Sequence, residues 1–349
     1  MNMAKSTKIV ESGENDPWYN LALEEYLLQQ VGEGEIILYL WQNQNTVVIG
    51  RNQNAWKECR CQLLEREGGK LARRLSGGGA VFHDTGNLNF TFMMDKKLYN
   101  LEKQLQVILS AVRNLGIEAG FSGRNDLEVA GRKFSGNAFY FSEKTAYHHG
   151  TILIDVDVNK LTKYLQVSRE KIISKGIDSV RSRVINLKEL KPELDIDKLK
   201  KALSASFLSN YLKEAIPESL KPYMYLPSQL PELRELYRKY SSWEWSFGNS
   251  PQFDMNISNR FDWGGIEIGF SLKNGIIKEA SIYSDVMEVE IISLLVERLK
   301  GINFKPKEII MAIESIKESM DRGLYDRIKV ERIISDLKNW VKGLRGNSF

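Results

Sequence analysis

A chain of 349 residues, 42% hydrophobic and 10% aromatic, is long enough to bury a large core and predicts about two domains. Its 49 basic and 45 acidic side chains nearly cancel, to +4, which argues against nucleic acid or an anionic membrane as partner and leaves any anion to a local cluster. No apolar signal region opens the chain and no stretch approaches the roughly 18 apolar residues of a membrane span, so a cytoplasmic location is expected.

In chain order, Asp16-Pro17 reads as an N-cap followed by a first-turn proline, and Leu23, Tyr26, Leu27 and Val31 make one helical stripe, which predicts a helix over 17–31. The runs Ile36–Trp41 and Thr46–Gly50, separated by the polar stretch 42–45, predict a hairpin. Cys59 and Cys61, the chain's two cysteines, fall in an expected helix two residues apart. Their side chains are expected to diverge, without partners for a disulfide or a zinc site, which fits a reducing compartment.

Leu88, Phe90, Phe92 and Met94 alternate with mostly polar neighbours, predicting a strand with one face on the core and the other toward a cleft or water. Further strands are expected at 136–141 and 147–155, and helices at 101–115 and 159–165. The lysine-rich stretch 186–231 predicts exposed helix, peripheral to the first domain. A second, smaller α+β domain is expected from about 252, with a hairpin whose turn is Asn274-Gly275, then two or three amphipathic helices from 287 onward. The expected fold is therefore α+β, with a large domain over 1–248 built on a mixed sheet with flanking helices and a small one over 252–349.

Four clusters carry chemistry. Arg73-Arg74-Leu-Ser-Gly77-Gly78-Gly79-Ala80-Val81-Phe-His83-Asp84 places three bare glycines after two arginines, an arrangement that can aim successive N–H groups at a phosphate or carboxylate. It is neither a Walker loop nor a dinucleotide fingerprint. The second cluster is Ser122-Gly-Arg-Asn125-Asp126 with Gly131-Arg-Lys133-Phe134-Ser-Gly136-Asn-Ala138. In it Lys133, set among small residues at a strand entrance, is a point charge that can be held rigidly and is the leading catalytic candidate over a merely solvated lysine. His148-His149-Gly-Thr is the third. The fourth, Ser174-Lys175-Gly-Ile-Asp-Ser-Val-Arg181-Ser-Arg183, suits a phosphate-covering loop or an exposed connection.

Together these clusters resemble the lipoate-protein ligase family, whose signatures are the Arg-Arg-x-Ser-Gly-Gly-Gly-Ala-Val-Phe-His-Asp loop and a Lys-x-Ser-Gly-x-Ala segment. The likeness takes in Asp16-Pro17-Trp18, Val47–Arg51, Ser242–Trp245 and Trp263-Gly264-Gly265, so that it spans essentially the whole chain. The resemblance implies an ATP-dependent, AMP-forming ligase of the biotin/lipoate ligase-like fold. Such an enzyme makes lipoyl-AMP from lipoate and MgATP, releasing pyrophosphate, and passes the lipoyl group to a lysine of an acceptor domain such as a 2-oxoacid dehydrogenase E2 subunit or the glycine cleavage H protein. ATP, Mg²⁺ and lipoate enter as substrates, with no tightly bound prosthetic group and neither nucleic acid nor membrane as partner.

By motif, the resemblance implies Lys133 as the catalytic charge, and Arg73, Gly78, Gly79, Ala80, Val81, Asn125, Asp126, Lys175, Arg181 and Arg183 around ATP and the adenylate. Asp126 would also contact Mg²⁺. Trp41, Val81, His83, Lys133, Gly136, Ala138 and His149 would line the lipoate slot, with Phe134 shaping it. The alternatives are an octanoyl or lipoyl transferase working through a cysteine thioester, a biotin ligase, and a non-catalytic lipoate-binding protein.

Overall fold

The computed structural model describes residues 4–122, 126–166, 184–212, 231–247, 255–320 and 327–344. β1 (Ser6–Glu11) leads into α1 (Pro17–Gln29), and β2 (Glu35–Trp41) returns parallel to β1. Asp16 caps α1 by accepting from the N–H groups of Trp18 (2.9 Å) and Tyr19 (3.4 Å), with Pro17 at a position that needs no donor.

The next stretch holds β3 (Thr46–Ile49), α2 (Ala55–Glu58), α3 (Cys61–Arg66), β4 (Lys70–Arg73) and β5 (Val81–His83). It is followed by β6 (Asn87–Asp95), α4 (Leu101–Asn114), β7 (Gly120–Phe121), β8 (Asp126–Val129), β9 (Arg132–Phe141) and β10 (Thr145–Leu153). These strands make a seven-stranded mixed sheet, in the order β1-β2-β6-β10-β9-β8-β7, and a separate three-stranded sheet β4-β3-β5. The hairpin expected of 36–41 with 46–50 is not formed. Both edges of β2 are taken, by β1 and β6, so β3 pairs elsewhere, parallel to β4 and antiparallel to β5.

β6 is a strand as expected, but all nine of its residues are buried, Asn89 and Thr91 included, so neither face meets water. Next come α5 (Val158–Tyr164), α6 (Leu187–Leu190), α7 (Ile196–Tyr211), α8 (Pro231–Ser241) and α9 (Trp243–Phe247). The lysine-rich region is not peripheral where it is described. Leu199, Leu203 and Phe207 form a buried stripe on α7 within the same core as Ile36, Leu38, Phe90, Phe92 and Val107, and Ser206 donates to the Val107 carbonyl (2.7 Å). The lysines occupy the other face, so charge alone misplaces the helix.

By contacts the chain divides into two compact units. One comprises residues to Ile49, Ala55–Arg74 and Ala80–Ser246; the other gathers Gly50–Asn54, Leu75–Gly79 and the chain from Phe247 onward. The second unit has an antiparallel sheet of β11 (Met255–Phe261), β12 (Gly264–Lys273) and β13 (Ile276–Ser284), followed by α10 (Val289–Leu299), α11 (Pro306–Ser319) and α12 (Arg327–Gly343). Asn274 and Gly275 sit at φ 54° and 75°, the left-handed pair that a tight turn between β12 and β13 requires. No described helix is long and apolar enough to cross a membrane.

Candidate active site

Lys133 is the second residue of β9, and a bulge aims it. Leu127 pairs with Ser135 but the next residue, Glu128, pairs with Lys133, which leaves Phe134 as the extra residue of β9. The insertion resets the alternation of the strand and brings Lys133 to the side occupied by Gly136. The ammonium lies 2.7 Å from where a Cβ at Gly136 would stand, so glycine is what makes room for it. Asp126 Oδ1 holds Lys133 Nζ at 2.7 Å, with the two side chains 37% and 35% exposed. The backbone is held too, since Ile185 donates to the Lys133 carbonyl (2.9 Å) and Val184 bridges to it. Phe134 does not shape an acyl slot. It is fully buried in the main core, on the side opposite to the one the bulge gives Lys133.

Further along β9, Ala138 stands opposite His149 of β10. His149 Nδ1 lies 2.8 Å from Glu24 Oε1, Thr91 donates to the same oxygen (2.7 Å), and Trp41 Nε1–H donates to Thr91 (3.1 Å). The rings of Trp41 and His83 meet edge-on at 6.2 Å. Trp41, His83, Ala138 and His149 are thus brought together by β2, β5, β9 and β10, all at most 7% exposed. Burial first, then the charges of Arg74 and His149, push His83 down to about 3, so its ring is neutral near pH 7. Asn43 Nδ2 donates to His83 Nδ1 (3.2 Å), which places the ring proton on Nε2, and that buried N–H finds no acceptor among the described residues. An orphaned donor of this kind costs about 1–3 kcal/mol, so it marks where an acceptor is wanted.

Glu24, Thr91, Asn43 and Arg74 complete this buried network, and the sequence reading missed them as members of the site. Glu24 had a signal: it sits three residues after Leu21 and four before Leu28, a carboxylate on an apolar helical face. Arg74 is buried and donates to the Val48 carbonyl (3.2 Å); desolvation draws its guanidinium down to about 10, against the favourable influence of Tyr147 and Glu24.

The glycine loop is divided. Ala80 and Val81 are half-buried in the first unit, Val81 opposite Val48. Gly78 and Gly79 belong to the second, where Gly78 N–H donates to the Val286 carbonyl (3.2 Å). Arg73, expected on the nucleotide, commits Nε to the Trp245 carbonyl (2.9 Å) and Nη2 to that of Ser246 (2.8 Å). Asn125, Lys175, Arg181 and Arg183 lie outside the described residues. Asp126 is a single carboxylate already on Lys133, and no group of three metal-binding side chains occurs among the described residues. This donor set suits a cation carried mainly by phosphates, with one protein oxygen.

The two cysteines do not diverge as expected. Arg60 between them has φ −77° and ψ 68°, an inverse γ-turn that folds Cys61 back so that its thiol donates to the Cys59 carbonyl (3.4 Å).

One unit is thus a mixed sheet with flanking helices and the other a small antiparallel sheet with helices. The chain belongs to the lipoate protein ligase family: residues 16–208 match the lipoyl protein ligase A/B catalytic domain and residues 250–337 the bacterial lipoate protein ligase C-terminus. It is accordingly a lipoate-protein ligase-type enzyme. Among solved structures it is similar to P. falciparum LipL1 in complex with lipoate (29% identity, 96% of this chain and 100% of that one, TM-score 0.80). It is also similar to the bipartite lipoate protein ligase of Thermoplasma acidophilum, described with its E2 lipoyl domain (25%, 72% and 100%, 0.62), and to lipoate-protein ligase A bound with ATP (25%, 70% and 99%, 0.59).

Proposed function

We propose that this protein is an ATP-dependent, AMP-forming lipoate-protein ligase. The observation that carries the reading is Lys133: an ammonium re-aimed by a strand bulge, seated over a glycine, and held by one carboxylate at 2.7 Å. The solved relatives with lipoate and with ATP support the two substrates.

In the first step a carboxylate oxygen of lipoate attacks the α-phosphorus of ATP, the bond to the β-phosphate bridge breaks, and pyrophosphate leaves. Negative charge grows on the α-phosphoryl oxygens, and the Lys133 ammonium would stabilise that charge. In the second step the amine of an acceptor lysine attacks the acyl carbon, the acyl–phosphate bond breaks, AMP departs and the proton lost by the amine passes to solvent. Lys133 again faces the developing oxyanion. Ala80, Val81 and Asp126 support the adenylate, with Asp126 the protein oxygen for Mg²⁺ and Arg73 anchoring the root of the loop through the Trp245 and Ser246 carbonyls; the motif adds Asn125, Lys175, Arg181, Arg183 and the backbone of Gly78 and Gly79. Trp41, Val81, Gly136, Ala138, His83 and His149 receive the acyl chain, and the unpartnered Nε2–H of His83 is the donor offered to it.

The acceptor is a lipoyl domain, a partner class supported by the relative described with an E2 lipoyl domain. The test supplies ATP, Mg²⁺ and lipoate, with and without such a domain, and follows lipoyl-AMP, pyrophosphate and acceptor mass. Adenylate, a lipoylated acceptor, and loss of both in Lys133→Ala are expected. Labelling of the acceptor from an acyl-carrier donor with no adenylate would make the protein a transferase.

A further inference from the structure

A cavity of about 320 Å³ opens on the surface formed by α2, α3 and the end of α5, and none of the candidate site residues lines it. Trp56, Cys59, Arg60, Cys61, Arg66 and Gln166 are among its walls. Both thiols are free and mostly buried, yet each contributes to the lining. The inverse γ-turn at Arg60 curls the three residues and brings the backbones of 59 and 61 into the range that a disulfide spans, with the Cys61 thiol directed at the carbonyls of Cys59 (3.4 Å) and Ala55 (3.6 Å).

We propose that Cys59 and Cys61 are a redox-active dithiol, closed to an intramolecular disulfide by a small disulfide whose carboxylates are received by Arg60 and Arg66.

Their surroundings make the two sulfurs unequal. The Cys61 contact, then burial, pushes the Cys59 thiol up; the same contact draws Cys61 down, against its own burial and the charge of Glu65. Cys61, the less buried of the two, is therefore the attacking thiol. Its Sγ attacks one sulfur of the incoming disulfide; that S–S bond breaks, and the first thiolate leaves and takes a proton from water. Cys59 then attacks Cys61 Sγ, its proton passing to the second thiolate as that departs. Two protein thiols lose two electrons and two protons, and one small disulfide becomes two thiols.

The consequence is local and directional. Arg60 N–H donates to the Tyr164 carbonyl (2.9 Å), Gln166 N–H to that of Glu58 (2.8 Å), and Cys59 bridges Leu165. Closing the disulfide removes Cys61 from its carbonyl acceptors and turns the peptides that hold 163–166.

The experiment incubates the full-length reduced protein with glutathione disulfide and follows intact mass, peptide mapping and amide exchange. Expected are loss of two hydrogens, a Cys59–Cys61 link reversed by dithiothreitol, faster exchange at 164–166, and at Cys61→Ser no reaction. Arg66→Gln is expected to slow the reaction several-fold with glutathione disulfide but not with uncharged hydroxyethyl disulfide. A persistent glutathione adduct on Cys61, or a native protein that reacts no faster than Cys61→Ser, overturns the proposal. None of these readouts depends on lipoyl transfer.

Discussion

The two parts of β9 lie under opposite conditions. At Lys133 the charged pair is more than a third exposed and can exchange partners, whereas Ala138 and His149 are buried and His149 is held by Glu24 of α1, which Thr91 of β6 also contacts. The difference shows how one strand separates tasks. Under the proposed function, a charge that meets a reacting phosphate would stay accessible while groups that recognise shape would be held in the interior, where an unmet donor such as His83 Nε2 is informative.

Replacing neighbours on β9 tests this division most sharply. Phe134→Ala should lower stability by about 3–5 kcal/mol in urea unfolding, because it empties a fully buried position, while the folded enzyme keeps its turnover. Lys133→Ala should do the reverse, reducing turnover by about 10²–10³ in single-turnover adenylate formation with an unchanged unfolding midpoint. If both variants failed in the same assay, the bulge would not separate core from chemistry.

Gly136→Ala is the finer probe. A methyl group there must displace the Lys133 ammonium, and about a tenfold fall in turnover, roughly 1.4 kcal/mol, is expected with normal folding.

The sealed region should show itself in acid. His83 and His148 are both pushed down to about 3, chiefly by burial, from an ordinary value of 6.5. Above 6.5 neither folded nor unfolded chain carries these protons. As pH falls from 6.5 toward 3 the unfolded chain takes them up and the folded chain does not, so stability declines through that window. Thermal melts from pH 7.5 to 5 should show the decline, and His148→Gln should flatten it.

Local signals were read well and shared edges poorly. Asp16-Pro17 and Asn274-Gly275 carry their own backbone chemistry, and the helix and turn stand where those residues placed them. Lys133, Gly136 and Asp126 were singled out by motif and meet in space. The pairing of β2 with β1 and β6 depends on residues far along the chain, so nearness to β3 misled. The stripe Leu199, Leu203, Phe207 was present in the sequence but outweighed by the lysines around it. The bulge at Phe134 left no local mark, since one extra residue is visible only against the register of β8.

The bonds between Arg73 and α9 have a consequence for synthesis. Arg73 donates to the Trp245 and Ser246 carbonyls, and the Trp245 indole donates back to the Arg73 carbonyl (2.8 Å), over a separation of 172 residues. At roughly 5–20 residues per second, a ribosome needs about ten to thirty seconds after making Arg73 before its partners exist. For that interval a nascent chain holds an arginine destined for the interior without the carbonyls that accept it, and the root of the glycine loop is the last part of its unit to be completed.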